Sequence, residues 1–128
     1  LIFIDSGNDE SDPIWQRMID HTDQLVVATT TRDDHAEAGA LLLEALAERD
    51  PKSAHLAENA VVVVTQADSK ASPTDIKRVA DGYQSMASAV ITIPFDPAMV
   101  DGLLRYGSLR TATQRAWLSA AAAAARRL

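Results

Sequence analysis

The sequence predicts an α/β protein, a parallel sheet with flanking helices. Three observations support this class. Four short apolar runs alternate with amphipathic helical segments, and each run ends in a turn-rich polar stretch. This alternation is typical of parallel strands joined by right-handed helical crossovers. No internal repeat and no linker rich in Gly, Ser or Pro divides the 128 residues, so we expect residues 1–128 to form a single α/β unit.

The predicted strands cover residues 1–4, 24–30, 60–66 and 89–93. The run 24–30 is continuously apolar before its threonines, which is typical of a strand buried on both faces. The run 60–66 is the clearest strand and is expected at the centre of the sheet, because its valines favour the pleated backbone. Because the chain opens on an apolar run with no Met and no leader, we expect it to be part of a larger protein, cut inside its fold.

The first helix is predicted after Asp12, which can cap it, with Pro13 at the first helical position. Trp15, Met18 and Ile19 then have the i, i+3, i+4 spacing of a buried helical face.

The second helix is predicted to begin at Asp34, which with Glu37 has the spacing of a capping box. Pro51 marks its end, and residues 49–53 are expected to form a loop. Its apolar face comprises Ala38, Leu41, Leu42, Ala45 and Leu46.

Three more helices are expected. Ser72 and Asp75 begin one whose apolar face comprises Ile76, Val79, Ala80 and Tyr83. Asp96 and Pro97 begin a short helix that ends near Gly107. The last helix covers residues 111–127, and its alanine-rich centre favours packing on the sheet over insertion into a membrane surface.

The composition narrows the classes of site and partner. With 47% hydrophobic and 23% charged residues the chain resembles an ordinary soluble protein, which we expect in the cytoplasm. Because it has no cysteine, it has no disulfide framework, thiolate metal site or Cys nucleophile. Its net charge of −6 argues against a broad nucleic-acid surface. The alanine-rich tail is too short and too weakly hydrophobic to span a bilayer.

A functional site is expected beyond the carboxyl ends of the strands, where open α/β sheets bind ligands. Asp5 follows four bulky apolar residues, so its carboxylate is expected at the sheet edge, where it could hold a metal-bound water beside a phosphate. Asp34 and Asp96 are most simply helix caps. The three histidines lack the spacing of a zinc site, and Ser6 is not in a nucleophile elbow. No Gly-rich phosphate loop is present in the chain.

Four loops together resemble those of the ParA/MinD family of P-loop ATPases, in its C-terminal half. The matching stretches, in chain order, are Asp5-Ser6-Gly7 after the first strand, residues 25–31 with the helix that follows, Thr65-Gln66-Ala67-Asp68, and Ile93-Pro94-Phe95-Asp96 with the later Gly107. The likeness covers essentially the whole chain, and actinobacterial MinD-like members look most similar. The resemblance therefore implies a partial P-loop NTPase fold of the SIMIBI type.

By this resemblance, Asp5 is the switch carboxylate that holds a water on the Mg²⁺ of bound ATP. Thr65, Gln66 and Asp68 would line the adenine side, together with the backbone around Pro94 and Phe95. The intact protein would be a homodimeric ATPase used in chromosome or plasmid partitioning, in positioning or near secretion machinery, with an unknown protein partner.

Two departures limit what the resemblance implies. Gly7 stands where the family usually has proline. The family's lysine-containing phosphate loop would lie upstream of Leu1, so this chain alone is expected to be catalytically inactive and to hold neither ATP nor Mg²⁺ firmly. The strand of that loop would separate residues 1–4 from residues 24–30. Its absence predicts that the chain closes the gap, that its first strand strays, or that chains associate.

Two alternatives remain open. One is a haloacid-dehalogenase-type phosphatase, because Asp5-Ser6-Gly7-Asn8-Asp9 resembles its late metal-binding loop, although its Asp-x-Asp-x-Thr nucleophile loop is not in this chain. The other is a non-catalytic interaction scaffold with the ParA/MinD-like fold.

Overall fold

A three-stranded parallel sheet forms the centre of the computed structural model, which describes residues 1–128. The strands are β1 (Val26–Thr30), β2 (Val61–Thr65) and β3 (Ala89–Ile93), in the order β1-β2-β3. Val61 pairs with Val26 on one side and with Ala89 on the other. The predicted α/β class with a parallel sheet is confirmed, and so is the central position of the valine-rich strand.

Five α-helices surround this sheet: α1 (Pro13–Asp20), α2 (Asp33–Arg49), α3 (Pro51–Glu58), α4 (Pro73–Tyr83) and α5 (Thr111–Ala125). Two short 3-10 turns, Pro97–Met99 and Tyr106–Ser108, lie between β3 and α5. None of these helices combines the length and apolar character required to cross a membrane.

The two faces of β2 belong to two separate cores because successive side chains of a strand point to opposite faces. Val62 and Val64 join the larger core, whose other members come from α1 to α4 and from β1. Val61 and Val63 pack in the smaller core with Ile93 of β3 and alanines of α5. The predicted packing of the last helix on the sheet is confirmed.

The predicted first strand is wrong, because residues 1–9 have no regular secondary structure. The side chains of Leu1, Ile2, Phe3 and Ile4 are 89%, 87%, 87% and 64% exposed. No neighbouring strand bonds to this run, and hydrogen bonds to a backbone are what make an extended apolar segment a strand. Three outcomes were expected for the chain: a closed gap, a first strand that leaves the sheet, or association of chains. The structure shows the second, because residues 1–4 do not pair with the sheet.

The prediction that β1 is buried on both faces is also wrong. Val27 and Thr29 are buried, whereas Val26 is 49% exposed and Ala28 is also exposed. The cause is that α5 packs mainly on β3 and β2, which leaves the same face of β1 largely uncovered.

The capping box predicted at the start of the second helix is absent. Helix α2 begins at Asp33 after Arg32, and no side chain caps it. Asp34 instead pairs with Arg32, with distances of 3.1 Å from Nε to Oδ1 and 2.8 Å from Nη2 to Oδ2. The buried face is also rotated from the predicted one, because Leu43 is buried and Leu41 is 53% exposed.

The predicted loop over residues 49–53 is wrong, because α3 begins there at Pro51. The Asp50 carboxylate accepts a 2.8 Å hydrogen bond from the backbone N–H of Ser53 and so caps the new helix. The helix predicted from Asp96 to Gly107 is likewise replaced by the two 3-10 turns. The caps predicted at Asp12, Ser72 and Asp96 are confirmed.

Candidate functional site

The carboxyl ends of the three strands open into a cavity of about 340 Å³, which we call the edge cavity. Each strand contributes the residues that follow it, since parallel strands bring these ends to one side of the sheet. The lining residues are Thr30, Arg32, His35, Thr65, Gln66, Ala67, Pro94, Phe95, Asp96, Met99 and Val100.

The structure brings together four of the six predicted site residues. Thr65, Gln66, Pro94 and Phe95 all line the edge cavity. Asp68 is exposed and does not line it. The carboxylate of Asp68 accepts backbone hydrogen bonds from Lys70 at 2.6 Å and from Ala71 at 3.0 Å, so it shapes its own loop.

Asp5 is not placed at the edge cavity. It lies in the irregular N-terminal run, is exposed, and is not among the cavity's lining residues. Its carboxylate makes no hydrogen bond or ion pair with the other predicted site residues, and its role in holding metal-bound water stays a prediction.

Gln66 holds the two loops of the edge cavity together. Its Nε2 donates hydrogen bonds to the carbonyl oxygens of Asp68 and Ala71, both at 3.0 Å. Its Oε1 accepts a 3.3 Å hydrogen bond from the backbone N–H of Phe95. Because both ends of the amide are engaged, Gln66 fixes the distance between the loop after β2 and the loop after β3.

Threonines tie the loop after β1 to the loop after β2. Thr65 Oγ1 donates to the carbonyl oxygen of Thr29 at 3.1 Å, and the backbone N–H of Ala67 donates to Thr31 Oγ1 at 3.1 Å. These bonds continue the connection between the strands past the end of the sheet. The walls of the cavity are thus cross-linked by polar side chains across all three strands.

Arg32 and His35 supply basic groups at the β1 side of the edge cavity. His35 Nδ1 lies 2.8 Å from Thr30 Oγ1. The hydrogen bond between Arg32 and Asp34 raises the pKa of the guanidinium and lowers the pKa of the carboxyl, so both groups stay charged. The sequence analysis assigned no role to Arg32 and considered His35 only as one of three histidines without the spacing of a zinc site, so neither basic residue was predicted for this site.

Asp96 lines the edge cavity and is only 3% exposed. Its carboxylate accepts backbone hydrogen bonds from Arg110 at 2.8 Å and from Ala98 at 3.0 Å. These bonds, the one from Arg110 first, lower the pKa of Asp96. The carboxylate is therefore ionised and fully occupied as a cap that ties the loop after β3 to the start of α5.

Residues 1–128 contain no group of three His, Cys, Asp or Glu side chains placed to hold a metal ion. In the Asp5–Asp9 stretch, Asp9 accepts hydrogen bonds from the backbone N–H of Ser11 at 3.1 Å and from its Oγ at 2.5 Å. These bonds lower the pKa of Asp9 and engage it in a local turn.

A second cavity of about 350 Å³ lies among side chains that precede β1 and β2, and we call it the rear cavity. Its lining includes Gln24, Lys52, His55, Asn59 and Arg127. It is on the opposite edge of the sheet from the strand ends at which ligands of α/β proteins are expected.

Comparison with known proteins adds no assignment: no family model matches the chain, and no match was found among curated proteins or solved structures.

Proposed function

We propose that this chain is the C-terminal portion of a ParA/MinD-like P-loop ATPase, and that its edge cavity holds the base end of an adenine nucleotide. The observation that carries the proposal is the bond between Gln66 Oε1 and the Phe95 N–H. It joins the two loops that the resemblance assigns to the adenine side, and both loops line one cavity.

The lining of the edge cavity suits a nucleotide base. Phe95, Pro94 and Met99 are partly buried and supply apolar surface on which a flat ring can lie. Gln66 keeps this surface at a fixed distance from the loop after β2. The edge cavity is therefore already ordered before a base enters, and binding loses less conformational entropy. Arg32 and His35 lie at the β1 side, where they would face the anionic part of the nucleotide.

Phosphoryl transfer needs more than the edge cavity supplies. Mg²⁺ and a cradle of donors must neutralise the charge on the transferred phosphoryl group. Asp5, the carboxylate proposed for Mg²⁺, is exposed and outside the cavity, and residues 1–128 contain no Gly-rich phosphate loop. The residues present do not fit a magnesium site, so the proposal for this chain is nucleotide binding, with hydrolysis left to the intact ATPase.

The test is equilibrium binding of ADP and adenosine to the chain and to Phe95→Ala. Without a phosphate loop the wild-type affinity is expected on the order of millimolar. Loss of the aromatic ring should weaken binding by about five- to one hundred-fold, as expected when a stacked base loses its platform. The matched control is Leu118→Ala, because Leu118 is 59% exposed on α5 and does not line the cavity. Equal affinities for wild type and Phe95→Ala would contradict the proposal.

An interaction scaffold is the second candidate, and one observation favours it. Between β3 and α5, the chain exposes four large apolar side chains within seven residues: Val100, Leu103, Leu104 and Tyr106 are 71%, 75%, 57% and 50% exposed, and Val100 lines the edge cavity. Exposed apolar side chains that form a patch often mark surfaces that bind another protein. A scaffold predicts no saturable nucleotide binding, so the same titration separates the two candidates.

No feature of the structure favours the dehalogenase-type alternative.

A further inference from the structure

The chain between the two 3-10 turns forms a loop over residues 101–105, which we call the 101–105 loop. Its two leucines, Leu103 and Leu104, are 75% and 57% exposed. No backbone hydrogen bond joins residues 101–104 to any other part of the chain. A segment with so few bonds can change its conformation without breaking any of them, which is typical of regions with low local stability.

Both ends of the 101–105 loop are held in place. Asp96, which begins the first 3-10 turn, accepts a 2.8 Å hydrogen bond from the backbone N–H of Arg110. Gln114 Nε2 donates to the carbonyl oxygens of Tyr106 at 3.0 Å and Leu109 at 3.2 Å. The chain on either side of the loop is therefore fixed to the start of α5, and the loop itself is the part that can change its path.

The 101–105 loop begins at the wall of the edge cavity. Val100 lines the cavity and is 71% exposed, so the wall that it forms is open to solvent. Leu103 and Leu104 follow Val100 by three and four residues. Because an extended chain spans at most about 3.5 Å per residue, the Cα atoms of both leucines stay within about 14 Å of the Cα of Val100. Either leucine can therefore reach the opening beside Val100.

Gly102 gives the loop its present path. Its φ of +94° lies in the left-handed region, which residues with a Cβ rarely adopt. Nothing lies within 4 Å of a Cβ added there, so no neighbour holds this conformation in place. Because hinges are a few residues that absorb a large change in φ and ψ, a glycine at this position suits a loop that moves.

The upstream strand that the ParA/MinD resemblance implies would not adjoin this loop. That strand would lie next to β1, whereas the loop follows β3, at the other end of the sheet. The leucines of the loop therefore need a cover other than that strand.

We propose that the 101–105 loop closes over the edge cavity when a nucleotide base is bound, and that Leu103 and Leu104 cover the side of the base next to Val100. This rests on the proposed function, since the base supplies the apolar face on which the leucines pack. Their burial removes apolar surface from water, which offsets the entropy lost when the loop is ordered.

Closure depends on the ligand because only the closed loop contacts the base. A ligand shifts an equilibrium between two conformations only by binding one of them more tightly than the other. The two leucines thus determine specificity: they favour a ligand that carries a flat ring over the sugar phosphate alone.

Closure is tested by the reactivity of a single thiol, for which the cysteine-free sequence is a clean background. Leu103→Cys is treated with a maleimide, without ligand and with ADP at about ten times its dissociation constant, where most of the protein is bound. The reaction is expected to be about five-fold slower or more with ADP, because the closed loop withdraws the side chain from solvent. An unchanged rate while ADP is bound would overturn the proposal.

Leu118→Cys is the matched control for this experiment. Leu118 is 59% exposed on α5 and does not line the edge cavity. The rate of its reaction with the maleimide should therefore be the same with and without ADP.

Binding affinity gives the second test. A chain with both Leu103→Ser and Leu104→Ser should fold as wild type does, because neither leucine belongs to either core. Its affinity for ADP should be about three- to ten-fold lower, since it lacks the apolar cover of the base. Leu118→Ser should bind ADP as wild type does. Equal affinities for wild type and the double variant would overturn the role of the leucines.

The two proposals fail in different ways. A wild type without saturable ADP binding would contradict the proposed function and the closure that rests on it. Saturable ADP binding that Phe95→Ala weakens, together with full reactivity of Leu103→Cys in the presence of ADP, would support the proposed function and overturn the closure alone.

Discussion

At the scale of single residues, Gly39 has the least room of the five glycines for an added side chain. A Cβ added there would collide with Tyr83 Oη and lie 3.3 Å from Val27 Cγ1. Tyr83 is 2% exposed and its hydroxyl donates to the carbonyl of Ala36, so the ring cannot easily withdraw. The glycine therefore permits the close approach of α2 to the ring that α4 supplies.

Gly39→Ala should destabilise the protein by about 1–3 kcal/mol, the usual cost of overpacking a core. Gly82→Ala is the matched control, since nothing lies within 4 Å of a Cβ added at that helical glycine. There we expect a gain of up to about 1 kcal/mol, from the higher helix propensity of alanine. Urea unfolding of both variants checks the difference, and a stabilised Gly39→Ala would show that the approach to Tyr83 is looser than described.

Asp96 should make folding sensitive to acid. Its pKa in the folded protein is below the ordinary value of 3.8, because Arg110 and Ala98 donate backbone hydrogen bonds to the carboxylate. The stabilisation is therefore fully present above the unfolded-state pKa and is lost as the pH falls through the lower folded-state pKa. Asp96→Asn lacks this titration, so its deficit in unfolding free energy should shrink between about pH 5 and pH 2. A deficit that does not change with pH would mean that the charge of Asp96 contributes nothing.

At the scale of elements, side-chain caps decide where several helices begin. Ser72 and Asp75 form a complete capping box at α4: Ser72 Oγ accepts from the Asp75 N–H at 3.1 Å, and the Asp75 carboxylate accepts from the Ser72 N–H at 3.1 Å. Ser72→Ala should cost about 1 kcal/mol of stability. Ser119→Ala is the control, because Ser119 is exposed in the middle of α5 and its hydroxyl bonds only to the carbonyl of Arg115. Equal changes in the two midpoints of thermal unfolding would contradict the role of the box.

The same rule of spacing succeeded at Ser72 and failed at Asp34, for a physical reason. Asp34 has a strong competitor two residues earlier, the Arg32 guanidinium, which binds both of its carboxylate oxygens. A pattern of spacings contains no information on such competition. Pro51 was interpreted as the end of α2. With Asp50 as the N-cap, it also marks the start of α3.

At the scale of the whole molecule, burial separates the parts that hold the fold from the parts that do not. Two isoleucines make the contrast measurable. Ile93 of β3 is fully buried, whereas Ile4 is 64% exposed in the irregular run of residues 1–9. Ile93→Ala should cost about 2–5 kcal/mol. Ile4→Ala should stay within about 0.5 kcal/mol, because the side chain is already largely in solvent. A large loss of stability for Ile4→Ala would show that residues 1–4 pack on the rest of the chain.

Sequence predicted the three strands of the sheet because each depends on local properties: β-branched residues, apolar runs and flanking turns. It predicted a strand at residues 1–4 for the same reason and was wrong, since a strand also needs a neighbour with free backbone groups. The edge cavity followed from topology, which places Thr65 and Phe95 on one edge once the strands are parallel. The network around Gln66 depends on side-chain geometry and could not be predicted from the sequence.

The central claim, that the edge cavity binds an adenine nucleotide, is tested most directly by amide NMR during titration with ADP. Saturable shifts are expected at the amides of Gln66, Ala67 and Phe95, which line the edge cavity. The amides of Lys52, His55 and Asn59, which line the rear cavity, should not move. Shifts confined to the rear cavity, or no saturable shift at the first three amides, would contradict it.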